Sequence, residues 1–160
     1  MAQGFRWWIG HLEEILCASL FAVMAIVMFV NIIARYLLKY SLAFTEELVV
    51  SLFVWVTLLG ASIAFRQQSH LGFSFLIQRL PRNMQRILLW LSAVLGAFLF
   101  GVLIYFAIRQ IGDEISLGIT SSGIGLPQWW YTIGVPVWSC LVIARIFQGA
   151  YSVSAKLGKE

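Results

Sequence analysis

The chain has 160 residues, of which 61% are hydrophobic and only 11% charged, with a formal net charge of +4. Its mean hydropathy of +0.88 is far above that of an ordinary soluble domain and excludes a separate soluble catalytic domain. The positive charge does not suit nucleic acid, because the basic residues stand at the ends of apolar runs instead of forming one stripe.

Four uncharged runs, Ile15–Ala34, Leu48–Phe65, Ile87–Ile108 and Ile115–Ala144, are each closed by an arginine: Arg35, Arg66, Arg109 and Arg145. A hydrocarbon core of about 30 Å is crossed by about 20 apolar residues in a helix, and these runs have that length. Lipid offers no hydrogen bonds to backbone amides, and the runs lack the alternation of barrel strands, so the spans are read as helices. The expected fold is an all-α integral membrane protein, a single domain over 1–160, with four transmembrane helices and short interfacial amphipathic segments. Eight basic residues (Arg6, Arg66, Arg79, Arg82, Arg86, Arg145, Lys156 and Lys159) fall on one side of such an arrangement and three (Arg35, Lys39 and Arg109) on the other. The positive-inside rule then places the N- and C-termini in the cytoplasm.

In chain order, residues 1–14 read as an interfacial helix, with Phe5, Trp8, Ile9 and Leu12 at helical spacing and Trp7 and Trp8 at headgroup level. The first span is 15–35; Glu13 and Glu14 before it and its length argue against a cleaved signal peptide. A short outer hairpin leads to Thr45, expected to cap a second span, 46–66, whose first turn holds Glu46 and Glu47 at the positive end of the helix dipole. Residues 67–86 are too polar to cross and too apolar for a free loop, and read as a cytoplasmic interfacial linker.

The third span is 87–109, with Ala93, Ala97 and Gly101 at intervals of four; Gly60 and Ala64 repeat this in the second. Such lines of small residues let helices approach closely in lipid, although each is equally compatible with simple tolerance of small side chains. An outer loop over 110–127, rich in Gly and Ser, precedes Trp129, Trp130 and Tyr131, an aromatic belt that opens the fourth span, 128–147. Pro136 is expected to kink that span, and 148–160 forms a cytoplasmic tail.

Chemistry is sparse. None of the four uncharged runs contains an ionisable residue of the kind a proton or ion path needs, and paired broken helices at mid-membrane are missing. His11 and His70 lie at helix ends, unsuited to haem, and Cys17 and Cys140 read as buried free thiols without metal-ligand spacing. The glycines of 118–125 read as a flexible loop, not a phosphate cradle. Three charge groupings stand at helix ends. Arg66 and His70 could share a face that meets a lipid phosphate or a partner's carboxylate, or Arg66 could simply anchor the helix. Glu46 and Glu47 could pair with Arg35 or only cap their helix, and Arg109 with Asp113 has the spacing of a local pair.

The order Ala34-Arg35-Tyr36, Thr45-Glu46-Glu47-Leu48, Trp55, Leu59-Gly60-Ala61-Ser62, Arg66 and His70 resembles the small membrane subunit, DctQ-type or Q, of tripartite ATP-independent periplasmic (TRAP) transporters. The likeness extends over almost the whole chain, including Leu126-Pro127 with the following aromatics and Pro136. It implies a multi-pass protein of the bacterial inner membrane, part of a symporter that imports organic acid anions captured by a periplasmic binding protein. It further implies a large membrane subunit that holds the solute and sodium sites and moves like an elevator, with this chain as the fixed scaffold packed against it. On that view the chain itself has no catalytic, substrate, metal or cofactor site. Arg35, Glu46, Glu47, Trp55, Gly60, Arg66 and His70 would serve the subunit interface, phospholipid contact or helix registration, and the loops 36–45 and 112–128 would help dock the binding protein. Two other readings are weighed against it: a membrane anchor of a respiratory enzyme, which calls for paired histidines, and a small self-sufficient exporter, which calls for a titratable residue in a span.

Overall fold

The computed structural model describes residues 2–37, 43–66, 81–121 and 125–157. The described residues form the helices α1 (Ala2–Leu37), α2 (Ala43–Arg66), α3 (Arg82–Ser116), the single turn α4 (Trp129–Thr132) and α5 (Gly134–Leu157). Among the described residues four segments are long and apolar enough to cross a membrane: Leu12–Leu37, Phe44–Arg66, Met84–Ser116 and Trp129–Ala155. No strand is formed among the described residues; Thr120 and Pro127 make an isolated bridge.

The helices outrun the apolar cores that define them. α1 continues unbroken through positions 2–14, so the expected interfacial helix is the first part of the same rod. The Trp7 and Trp8 side chains lie outside the described residues, as do the linker 67–80 with His70 and the hairpin positions 38–42. α2 starts at Ala43, which puts Thr45 inside the first turn, 4% exposed, and not at the cap. α3 begins after Pro81, whose carbonyl accepts from the Met84 amide at 2.9 Å, and absorbs the first part of the expected outer loop. At 1.5 Å per residue the 36 residues of α1 and the 35 of α3 measure about 54 and 52 Å.

Specific chemistry ends α3. The Ile119 amide donates to the Glu114 carbonyl at 3.0 Å and the Gly118 amide to the Ile115 carbonyl at 3.3 Å, a Schellman closure that needs the left-handed φ of +61° at Gly118. Residues 119–121 and 125–128 then lie against each other. The Ser121 amide donates to the Leu126 carbonyl at 2.8 Å, Gly125 turns at φ +70°, and the Gln128 amide returns to the Ile119 carbonyl at 3.1 Å.

The last span is interrupted at Ile133, three residues before Pro136. Proline has no N–H to give to the carbonyl four residues earlier, that of Thr132, and the ladder is lost there. The expected kink is thus a break upstream of the proline that causes it.

In space the helices stand in a row: α1 packs on α2, α2 on α5, and α5 on α3, while α1 and α3 share no extended contact. Along α1 the inward positions are Glu13, Cys17, Leu20, Met24, Val27, Asn31 and Ala34, alternating steps of four and three as in a left-handed helix pair. Leu89, Ala93, Gly96, Phe100 and Ala107 face inward on α3. The core lies where α2, α5 and α3 meet and is built on Ala93, Val142, Ile146 and Ala150, against Ala61, Phe65, Leu89 and Phe100.

Glycines set the closest approaches. A Cβ at Gly149 would stand 3.0 Å from the Phe65 carbonyl oxygen, and one at Gly96 would stand 3.3 Å from Ile146 Cδ1. Among the described residues nothing lies within 4 Å of a Cβ built at Gly60 or Gly101. Ala64 and Ala97 are half-buried. The thiols are not both buried: Cys17 is half-buried against the Val56 carbonyl and Cys140 is exposed.

Candidate functional site

Charged side chains gather at the two ends of the row. At the end that holds both termini, Glu13 and Glu14, adjacent on α1, reach different neighbours: Glu14 pairs with Arg66 at the last residue of α2, and Glu13 pairs with Arg145 of α5. Arg145 binds one Glu13 oxygen through both Nε, at 3.0 Å, and Nη2, and its Nη1 donates to Gln148. The Glu13 side chain is 8% exposed and Arg145 15%, whereas Arg66 and Glu14 are 21% and 40% exposed. α1 is therefore tied to two helices by ion pairs, although it packs along only one.

At the opposite end, the first turn of α2, the last turns of α3 and the broken start of the fourth span surround a cavity of about 430 Å³. Glu46 and Glu47 stand on one wall, Gln110 and Thr132 on the other, with the Trp55 indole deeper in. Behind the second wall Glu114 is 4% exposed; Gln110 Nε2 donates to it at 2.9 Å, and Thr132 Oγ1 lies 2.8 and 3.0 Å from its two oxygens. Ser121 Oγ donates to Glu47, which fixes the doubled-back segment on α2. Trp55 Nε1 donates to the Tyr131 carbonyl at 3.1 Å, and the indole lies against Gly134, where any side chain would overlap it. Beside the interruption in the last span, this tryptophan fills the space a Cβ at position 134 would need.

The predicted residues divide accordingly. Glu46, Glu47 and Trp55 meet around the cavity, and Arg66 sits at the other end with Glu14. Arg35 is exposed in the last turn of α1 and forms no ion pair with Glu46 or Glu47; Gly60 stands apart. Arg109 and Asp113 do not form the pair their spacing suggested: the neighbouring i, i+4 partners Gln110 and Glu114 do.

Sequence reasoning passed over Glu13, Glu14 and Glu114 as structural partners. Glu13 and Glu14 lie in the segment read as an interfacial helix, and Glu114 in the one read as an outer loop. The usable signal was an acid at one end of an apolar run facing an arginine at the matching end of an antiparallel neighbour.

Such a row, with its charged groups near the ends of apolar runs, defines a polytopic helical membrane protein. The sequence comparison makes it specific: residues 24–155 match the family described as "Tripartite ATP-independent periplasmic transporters, DctQ component", and the chain belongs to that family. It is a multi-pass protein of the inner membrane.

Among relatives, it is 31% identical over 153 residues to the sialic acid TRAP transporter permease protein SiaT of Haemophilus influenzae, covering 96% of this chain and 24% of that one. It is 35% identical over 92 residues to a putative TRAP transporter small permease protein of H. influenzae, covering 58% and 57% of the two chains. It is 25% identical over 169 residues to the C4-dicarboxylate TRAP transporter small permease protein DctQ of Rhodobacter capsulatus, covering 87% and 74%. The chain thus spans about a quarter of the first relative's length and little more than half of the second's.

Proposed function

We propose that this TRAP small permease chain is the stationary scaffold of a secondary transporter, packed against a much larger membrane subunit that carries the solute and sodium sites. One observation carries the reading: nearly all of this chain matches only a quarter of the SiaT permease, so in that relative the same module is joined to a far longer polypeptide. A row of helices whose outer faces are broadly apolar supports it, since packing surface is what a fixed partner supplies. On this reading the termini are cytoplasmic, the cavity end is periplasmic, and a periplasmic binding protein delivers the solute there. Arg35, Glu46, Glu47, Trp55, Gly60, Arg66 and His70 serve the subunit interface, phospholipid contact or helix registration. The chain needs no cofactor and catalyses no reaction of its own; sodium belongs to the large subunit.

The solute is a carboxylate-bearing organic molecule. Relatives are named for sialic acid, C4-dicarboxylate and ectoine, all of which carry a carboxylate, and this spread supports a solute identity set outside the small subunit. The test is purification of the tagged chain from its native membrane in mild detergent, followed by intact-mass analysis. A large polytopic protein in stable complex is the expected result. Recovery of the chain alone, or with a redox subunit, would sink the reading.

A further inference from the structure

Among the described residues α2 and α3 each pack on α5 and share no extended contact of their own, and at the cavity end the hollow lies between them. A bridge crosses it, made of residues 119–121 paired with 125–128 and then of α4, a single turn that touches α2, α3 and α5. Two hydroxyls of this bridge go to carboxylates on opposite sides. Ser121 Oγ donates to Glu47 of α2, and Thr132 Oγ1 lies 2.8 and 3.0 Å from the two oxygens of Glu114 of α3. The Trp55 indole of α2 adds a third tie by donating to the Tyr131 carbonyl at 3.1 Å.

Polar bonds carry this bridge more than apolar burial does. None of residues 125–133 is buried, whereas the Glu114 carboxylate that Thr132 covers is 4% exposed. Both ends of the bridge are joints. Gly118, at φ +61°, links it to α3, and the interruption at Ile133 links it to α5. A segment with little buried apolar surface and an interrupted hydrogen-bond ladder opens at a lower free energy than the helices beside it. Each bond to a charged acceptor then weighs about tenfold in the ratio of closed to open.

We propose that this segment is a clasp that joins α2 to α3 across the hollow and sets how far the cavity end of the row opens. Closed, it ties Glu47 and Glu114 to one bridge and keeps the hollow at about 430 Å³. Released, α2 and α3 swing apart about α5 at this end, while the core around Val142 and Ile146 holds them farther along. The movement lies within this chain, so the inference goes beyond the scaffold reading and does not rest on it.

The test measures distances between paired spin labels in the full chain, held in phospholipid nanodiscs, with Cys17 and Cys140 replaced by alanine. Labels at Phe53→Cys and Ile108→Cys report the cavity end, and labels at Ile63→Cys and Leu91→Cys report the far end. Thr132→Val and Ser121→Ala each remove one hydroxyl bond, and each is expected to shift the closed-to-open ratio about tenfold. Together they should bring up a second, longer distance at the cavity end while the far end keeps its original one. Thr132→Ser retains the hydroxyl and should match the unmodified chain. A cavity-end distance unchanged in the double variant would overturn the clasp. So would an equal change at both ends, the mark of general loosening, or an opening by Thr132→Ser as large as that by Thr132→Val.

Discussion

Glu13 and Glu14 are neighbours in the chain but carry different energetic weight, because one is enclosed and the other is wet. Removing a carboxylate from an enclosed pair strands its arginine, at a cost of about 3 kcal/mol, while an exposed pair contributes about 1 kcal/mol or less. Glu13→Gln should therefore lower the melting midpoint of the detergent-solubilised chain clearly and Glu14→Gln only slightly; equal effects would contradict the burial difference. Exchanging the partners, Glu13→Arg with Arg145→Glu, should recover much of the loss. A second pair of substitutions tests the joint at Trp55. Trp55→Phe removes the bond to the Tyr131 carbonyl, worth about 1 kcal/mol, together with the edge of the indole that lies against Gly134, whereas Gly134→Ala keeps the donor and forces a methyl into the indole at a cost of about 1–3 kcal/mol. Melting curves in which neither variant is destabilised would show that this contact does not hold the last span to α2.

At the level of helices, what the sequence displayed was apolar length, and what it concealed was everything the polar ends do. Four runs closed by Arg35, Arg66, Arg109 and Arg145 led directly to four spans, because lipid leaves an apolar run no other stable form. The boundaries moved outward since helices continue past the hydrocarbon as long as no residue stops them: α1 through Glu13 and Glu14, and α3 as far as Ser116, where the turn at Gly118 closes it. Glu46, Glu47 and Trp55 could be picked out as a set, but their meeting with Gln110, Thr132 and Glu114 depends on how 125–128 returns to 119–121, which spacing alone does not reveal. Pro136 could be recognised as a breaker, though not the position of the break. Pro136→Ala would return an N–H to the Thr132 carbonyl and should fuse α4 with α5. Slowed amide exchange at positions 133–136 is the expected sign, and unchanged exchange would assign the break to the Trp55–Gly134 contact instead.

For the whole molecule, the eight-to-three distribution of basic residues gives a definite orientation to test. With Cys17 and Cys140 replaced by alanine, a cysteine at Ile119 should react with an impermeant maleimide on whole cells stripped of their outer membrane, and one at Ser154 only after lysis. The opposite pattern would invert the protein and move the cavity to the cytoplasmic side. The length of α1 carries a mechanical consequence. Even at a tilt of about 40°, the upper end of what helices adopt, a rod of about 54 Å still rises about 41 Å along the bilayer normal, more than the roughly 30 Å of hydrocarbon. Part of α1 must stand outside the hydrocarbon, and because α1 packs along α2 alone, a change in bilayer thickness is expected to be taken up as rotation about that seam. The row then acts like a folding screen: the outer panel swings with the membrane, and the two ion pairs at Glu13 and Glu14 are the latches that limit its travel.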